Sequence, residues 1–269
     1  MKIIIAGAGE VGTHLAKLLS KEGQDVILID PDETKLQVVD SNYNLMTIAG
    51  SPTTFKLLKE ANVKDADLYI AVTPFETRNI VSCSMAKGLG AKKTVARIDN
   101  LEFMKSEYTP FFKDMGVDDL IYPEYFASLE MMSALSHTWA RNWFELYNGE
   151  LILIGVKLRE NAKLINHKLK DLASKSQSFH ISAIQRKHET IIPRGDDHLE
   201  VGDIAYFTTQ KEFVSEIIDV CGKRITNVKR ILILGGSRIA VQLANMLGDS
   251  FKLKIIESDR EKCLRLIEK

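Results

Sequence analysis

The sequence predicts an α/β protein: a doubly wound parallel sheet, then a small α+β domain, then the opening of a second doubly wound sheet. Three observations predict it. Over the first 140 residues, short continuous Ile/Val/Leu runs alternate with helical patterns, as in a parallel sheet covered on both faces. After that the rhythm shifts to short strands with few helices. Finally, "RILILGGSRIAVQLANMLG" repeats "KIIIAGAGEVGTHLAKLLS" at a constant offset of 228 residues. The expected domains are 1–140, 141–223 and 228–269.

The elements follow in order. "KIIIA" is a short apolar strand ending in glycines. "EVGTHLAKLLSKEG" places Val11, Leu15, Leu18 and Leu19 at helical spacing and stops at Gly23. "DVILID" is the second strand and "PDETKLQVVDS" a helix with Pro31 in its first turn. "NLMTIAG" is the third strand. "SPTTFKLLKEANV" is a helix with Ser51 as N-cap and Pro52 at its first position. "DLYIAVT", "ETRNIVSCSMAKGLG" and "KTVARI" read as strand, helix and strand. "DDLIYP" reads as a sixth strand, and "PEYFASLEMMSALSH" as a longer helix from Pro123.

Beyond "HTWARNWFELYNGE" come the strand "LILIGVKL", the short helix "INHKLKDLAS" and the strand "FHISAIQRK". Two short strands in "TIIPRGDDHLEVGDIAYFTT" and the helix "KEFVSEIIDVCG" follow. They make a mostly antiparallel domain of roughly 80 residues, near the small end of what folds alone. In the repeat, Gly7 maps to Gly235, Gly12 to Ala240, Leu15 to Leu243 and Leu19 to Leu247, and "KLKIIESD" echoes "DVILIDPD". One βαβ unit cannot cover both faces of its own sheet. The repeat therefore predicts either a parent chain of roughly 450 residues or a neighbour on which this orphan unit packs.

Composition narrows the function classes. Lys plus Arg and Asp plus Glu number 36 each, so no basic field marks a nucleic-acid binder. Cys83, Cys221 and Cys263 are scattered without a CxxC pair and read as reduced thiols, small hydrophobes in a core. The apolar run from Ile3 breaks at Gly7, too short for a secretory core. No stretch approaches the roughly 20 apolar residues of a membrane span, so a membrane role is expected to pass through a partner.

The first loop carries the chemistry. Gly7, Gly9 and Gly12 stand at the strand–helix junction in the G-x-G-x-x-G spacing of a Rossmann-type dinucleotide site. Gly7 permits the tight turn, Gly9 lets the backbone approach a pyrophosphate, and Gly12 lets the helix pack against the strand. The helix N-terminus offers free N–H groups to phosphates. Asp30 ends the second strand 18 residues after Gly12. Its carboxylate suits ribose hydroxyls and repels a 2′-phosphate, favouring NAD, ATP or ADP over NADP. Glu10 is either a first-turn acid complementing the helix dipole or a ligand for a cation on the phosphates. Arg97, ending the fifth strand, is either a phosphate clamp or one half of an ion pair. In the second copy Ser237 and Ala240 replace two glycines, Glu257 stands where Asp30 does, and weaker or different binding is expected.

The chain supplies no proton-transfer site beside a hydride path. His14 reads as an exposed helix residue and His180 as filler; His188 and His198 flank a turn without an HxxxH or Cys partner, so no metal site is expected. There is no Tyr-x-x-x-Lys, nucleophile elbow or Walker A motif. A sensor and an NAD-dependent oxidoreductase remain as readings, with an empty scaffold as the third.

Taken together, "MKIIIAGAGEVG", "LID" with Asp30, "IAGSPTT", "ADLYIAVTPFETRNIVSCSMAK", "TVARI" and "YPEYFAS" resemble the TrkA-type regulatory subunits of bacterial potassium uptake, a family of domains that regulate potassium conductance. "LRENAKLINHKLKDL" and "ISAIQRKHETIIPRGDDHLEVGDIAYF", with the turn at Gly202 and Asp203, resemble that family's C-terminal ligand domain. The resemblance implies a non-enzymatic, cytoplasmic subunit, peripheral at the inner face of the cell membrane. Such subunits form homo-oligomeric rings beneath a membrane-embedded potassium-translocating subunit and bind NAD(H) or ATP/ADP. It implies nucleotide contacts at Gly7, Ala8, Gly9, Glu10, Val11, Gly12, Asp30, Ser51, Thr73, Pro74 and Arg97, with Ser51 standing where the family often carries Asp. It also makes the helix from Pro123 a crossover to a partner lobe.

Overall fold

The computed structural model describes residues 1–40, 45–173 and 178–267. Contacts divide the chain into two compact units, Met1–Phe126 and Ala127–Lys269.

In the first unit, β1 (Lys2–Ala6), α1 (Glu10–Lys21), β2 (Asp25–Asp30), α2 (Glu33–Asp40), β3 (Met46–Ala49), α3 (Phe55–Glu60), β4 (Leu68–Ala71), α4 (Glu76–Gly88), β5 (Thr94–Arg97), α5 (Thr109–Asp114) and β6 (Asp119–Ile121) alternate along the chain. α6 (Pro123–Ser136) begins at the unit's end. The six strands form one parallel sheet in the order β3-β2-β1-β4-β5-β6.

Alternate residues of each strand face opposite sides, and both sides are filled. Ile4, Ala6, Ile27 and Ile29 join Leu58, Tyr69 and Cys83 in one core. Ile3, Ile5, Val26 and Leu28 join Ala16 and Leu36 in another. Two buried faces explain why the strands read as continuous apolar runs. Burial pushes the Cys83 thiol up to about 12, and Cys221 likewise, so both are inert.

Two helix starts differ from expectation. Pro31 lies ahead of α2 rather than in its first turn. Asp32 caps that helix, its Oδ1 accepting from Thr34 N at 3.0 Å and Thr34 Oγ1 at 2.6 Å. Ser51 is not the N-cap of α3. Its carbonyl closes a turn by accepting from Thr54 N (3.3 Å) and Thr54 Oγ1 (2.9 Å), and the helix begins only at Phe55 with Thr54 as N-cap. The expected helix end at Ser41 and strand start at Asn44 lie outside the described residues.

The second unit contains β7 (Asn142–Leu146), β8 (Leu151–Lys157), α7 (Leu169–Ala173), β9 (Phe179–Arg186), β10 (Glu189–Ile191), β11 (Ile204–Thr209) and α8 (Val214–Val220). These five strands pair antiparallel in the order β10-β9-β11-β8-β7. β7 was not expected from the sequence. The core gathers Ile152, Ile154, Val156, Phe207 and Ile217. At the Gly202–Asp203 turn, the buried Asp203 carboxylate accepts from Arg186 Nε (3.0 Å), Arg186 Nη2 (2.9 Å) and Glu200 N (2.9 Å). A bidentate pair of this kind fixes a loop as well as neutralising a buried charge. Beside β7, the His137 ring stacks on Trp143 at 3.7 Å and Trp139 meets Trp143 edge-on at 6.3 Å.

The same unit ends in β12 (Arg230–Leu234), α9 (Arg238–Leu247), β13 (Lys252–Ile256) and α10 (Arg260–Ile267). β12 and β13 form a parallel two-stranded sheet. One face of it is open: Leu232, Leu234 and Ile256 are exposed.

Candidate functional site

Strand order reverses at β1, which pairs β2 on one side and β4 on the other. The crevice beyond the carboxyl ends of these strands is where open α/β sheets bind ligands. Gly7 leaves β1 there, donating its N–H to Ile29 O at 2.7 Å, with φ of +115°. A Cβ on Gly7 would lie 3.0 Å from Thr73 N, and a Cβ on Gly12 would lie 1.8 Å from Gly7 O. Both positions therefore require glycine. A Cβ on Gly9 would meet nothing within 4 Å. Gly9 is the N-cap of α1 and contributes no capping side chain, which leaves the first-turn N–H groups open to an anion.

Asp30 organises this loop. It is 7% exposed; Oδ2 accepts from Ala8 N at 2.6 Å and Oδ1 from Asp32 N at 2.9 Å. Its carbonyl accepts from Gly50 N at 2.9 Å, tying the end of β3 to the same edge. Ser51 follows, half-buried, its hydroxyl 2.9 Å from Thr53 Oγ1. Glu10 is exposed in the first turn of α1, and Val11 and His14 are also exposed.

The other wall is built from β4 and β5. Thr73 is buried and Pro74 exposed. Arg97 Nη2 donates to Glu124 Oε1 at 2.8 Å, an ion pair whose side chains are 20% and 9% exposed. Asn79, on α4, joins Thr73 to the Arg97 carbonyl. Glu76 Oε2 accepts from Asp99 N (3.1 Å) and Asn100 N (3.0 Å), holding the loop after β5. The expected residues from Gly7 to Gly12, with Asp30, Ser51, Thr73, Pro74 and Arg97, thus share one sheet edge. Asn79, Glu76 and Glu124 were not foreseen. For Asn79 a signal existed: with Cys83 and Ala86 it falls at i, i+4 and i+7, a polar residue on an apolar helix face.

The repeated loop keeps part of this plan. Gly235 N donates to Ile256 O at 2.7 Å, matching Gly7, and Gly236 N donates to Glu257 Oε2 at 2.8 Å, matching Ala8. Ser237 Oγ accepts from Ala240 N at 3.2 Å, so this helix caps itself. Lys262 lies 2.9 Å from Glu257 and, with the N–H groups of Gly236, Asp259 and Ser258, draws its carboxyl down to about 2. Among the described residues no cluster of His, Cys, Asp or Glu could hold a metal ion, and no helix is long and apolar enough to cross a membrane.

Comparison with known proteins places these features. The TrkA-N domain model matches residues 3–123 and the TrkA-C domain model residues 153–222. The Trk system potassium uptake protein TrkA of Haemophilus influenzae is 32% identical over 275 residues, covering 100% of this chain and 60% of the relative. The protein of the same name in Halomonas elongata is 30% identical over 272 residues, with the same coverage. TrkA homolog 1 of Methanosarcina mazei is 30% identical over 277 residues, covering 100% of this chain and 67% of the relative. The chain thus spans 60% of the length of the first two relatives. These relatives are named for potassium uptake, not for an enzymatic reaction. Among solved structures, the GsuK RCK domain shares the fold with a TM-score of 0.67 at 14% identity, covering 96% of this chain and 56% of that one. The GsuK channel bound to NAD also has a TM-score of 0.67, at 13% identity, covering 99% of this chain and 50% of that one.

Proposed function

The chain belongs to the TrkA family, and from that premise we propose that it is a nucleotide-sensing regulatory subunit of a potassium uptake system, not an oxidoreductase. The observation that carries the proposal is the loop from Gly7 to Gly12 clamped by Asp30 through Ala8 N, with open space beyond Gly9. In this proposal the pyrophosphate of NAD(H), ATP or ADP lies over Gly7, Ala8, Gly9, Glu10, Val11 and Gly12 at the positive end of α1. Each Asp30 oxygen accepts one backbone N–H and keeps a lone pair for a ribose hydroxyl. Ser51, Thr73, Pro74 and Arg97 complete the crevice.

Residues 1–140 then form the nucleotide domain, 141–223 a regulatory ligand domain and 228–269 the start of a second nucleotide-type domain. The chain acts in the cytoplasm, as a homo-oligomer against a membrane-embedded potassium-translocating subunit. Support for that partner is the name borne by the relatives. Nucleotide shifts the assembly between states by its differential affinity for them and by no more than that.

Thermal shift with NAD, NADH, ATP, ADP and NADPH, each with and without Mg²⁺, tests this. A ligand at 100 times its Kd should add about 2.7 kcal/mol of stability, without turnover and with NADPH the weakest. Dependence on Mg²⁺ would assign Glu10 to a cation; independence assigns it to the helix dipole. Steady oxidation of NADH with a small metabolite would overturn the proposal.

A further inference from the structure

We propose that Asn79 is the positioning residue of the candidate nucleotide site. It fixes the spacing of the β4 and β5 strand ends, and so sets where the Arg97 guanidinium stands relative to the phosphates. The inference rests on the nucleotide reading above.

The parallel ladder between β4 and β5 runs from Tyr69↔Thr94 to Ala71↔Ala96 and ends there. Beyond it, the two chains part to form the crevice wall. At that point the Asn79 carboxamide takes the place of the next rung. Its Oδ1 accepts from Thr73 N at 2.9 Å and Thr73 Oγ1 at 2.6 Å. Its Nδ2 donates to Thr73 O at 2.9 Å and Arg97 O at 2.8 Å. The two carbonyl acceptors fix which end is nitrogen, and the carboxamide's two donors and two acceptor sites are all used.

Asn79 is fully buried in the first turn of α4. Its own backbone is held by Asn79 N to Phe75 O (3.0 Å) and Ser82 Oγ to Asn79 O (3.1 Å). Burying a carboxamide costs stability unless every bond is made. An apolar residue would pack α4 against the sheet as Ile80 and Cys83 do, without bridging two strand ends. The arrangement also spends the N–H and O–H of Thr73 on Asn79, which leaves Thr73 no donor for an anion. Charge recognition on this wall therefore falls to Arg97, whose backbone Asn79 anchors and whose guanidinium, with Nη2 donating to Glu124, keeps its other N–H donors for an anion, while the adenosine half of a ligand rests on the Asp30 side.

The test is Asn79→Leu in the full chain, neutral and close in volume, titrated calorimetrically with ADP and NADH and, by displacement, with adenosine. ADP and NADH should weaken at least roughly tenfold while adenosine changes less than about twofold, a split that a general loss of structure does not produce. Equal weakening of all three, or of none, overturns the proposal. If wild type binds neither ADP nor NADH, the nucleotide reading itself fails. Should the variant not fold, amide exchange of the wild-type chain by NMR decides. The Thr73 amide should be protected before any nucleotide is added, and exchange at the unprotected rate would overturn the proposal.

Discussion

The loop after β1 and the loop after β12 are two renderings of one motif. Both turn on a glycine whose N–H returns to the neighbouring strand, and both donate the next N–H to an acidic side chain. Around them everything else differs. The first stands on a six-stranded sheet with both faces buried, the second on two strands with one face open. At the first, α1 presses so close that Gly12 has no room for a methyl group; at the second, Ala240 carries one. Gly9 leaves α1 uncapped for a ligand, whereas Ser237 caps α9. The acid-to-amide clamp is thus a folding device common to both loops, and ligand capacity depends on the glycines around it.

Four measurements break or sharpen this contrast. Gly12→Ala should cost about 3 kcal/mol, because the added carbon would lie 1.8 Å from the Gly7 carbonyl oxygen in the turn after β1. Ala240→Gly should cost about 1 kcal/mol, a helix-propensity effect. Equal costs by calorimetry would mean that the two loops are packed alike. Next, Asp30→Ala should strip the buried Ala8 N–H of its partner, cost about 1–3 kcal/mol and abolish the nucleotide-induced thermal shift. Glu257→Ala should leave that shift in place, and its loss there would move the site to the second loop.

Copying the second loop into the first, Gly9→Ser should raise stability by no more than a few tenths of a kcal/mol, since nothing lies near a Cβ there and Ser is slightly the better cap. It should weaken nucleotide roughly tenfold by crowding the pyrophosphate. The reverse change, Ser237→Gly, should cost only a few tenths of a kcal/mol, roughly the difference between the two as caps. The smallest effect is a titration. The Glu257 carboxyl lies near 2 against an ordinary 4.5, held down first by Lys262 and then by backbone N–H groups. Its contribution is present above pH 4.5 and lost as the pH falls toward 2. Carboxylate NMR should show that midpoint, and Lys262→Ala should raise it.

The parallel sheet was legible because strands buried on both faces leave no polar positions to blur the pattern. The fingerprint and Asp30 were legible by spacing. Other features were hidden in tertiary context. Ser51-Pro52 has the composition of a helix start, yet the Ser51 carbonyl closes a turn on Thr54 first, and no local preference distinguishes the two. β7 escaped notice because an edge strand with only Trp143 packed against the core carries "NWFEL" without clean alternation. Arg97 was expected either on phosphate or in an ion pair, and the structure supplies the pair through Glu124, 27 residues away. Asn79 was passed over because its four hydrogen bonds join Thr73, just past β4, to Arg97, at the end of β5, two residues that only the fold brings together.

The His137–Trp143–Trp139 cluster has a practical consequence. Both tryptophans of the chain belong to the second unit, and the first has none. Tryptophan emission therefore originates in the second unit, while the nucleotide loop after β1 belongs to the first. ADP does not absorb where tryptophan emits. A change in that emission on adding ADP, if Asp30→Ala abolishes it, would therefore be a response of the second unit to a ligand on the loop proposed in the first, an optical record of communication that needs no label.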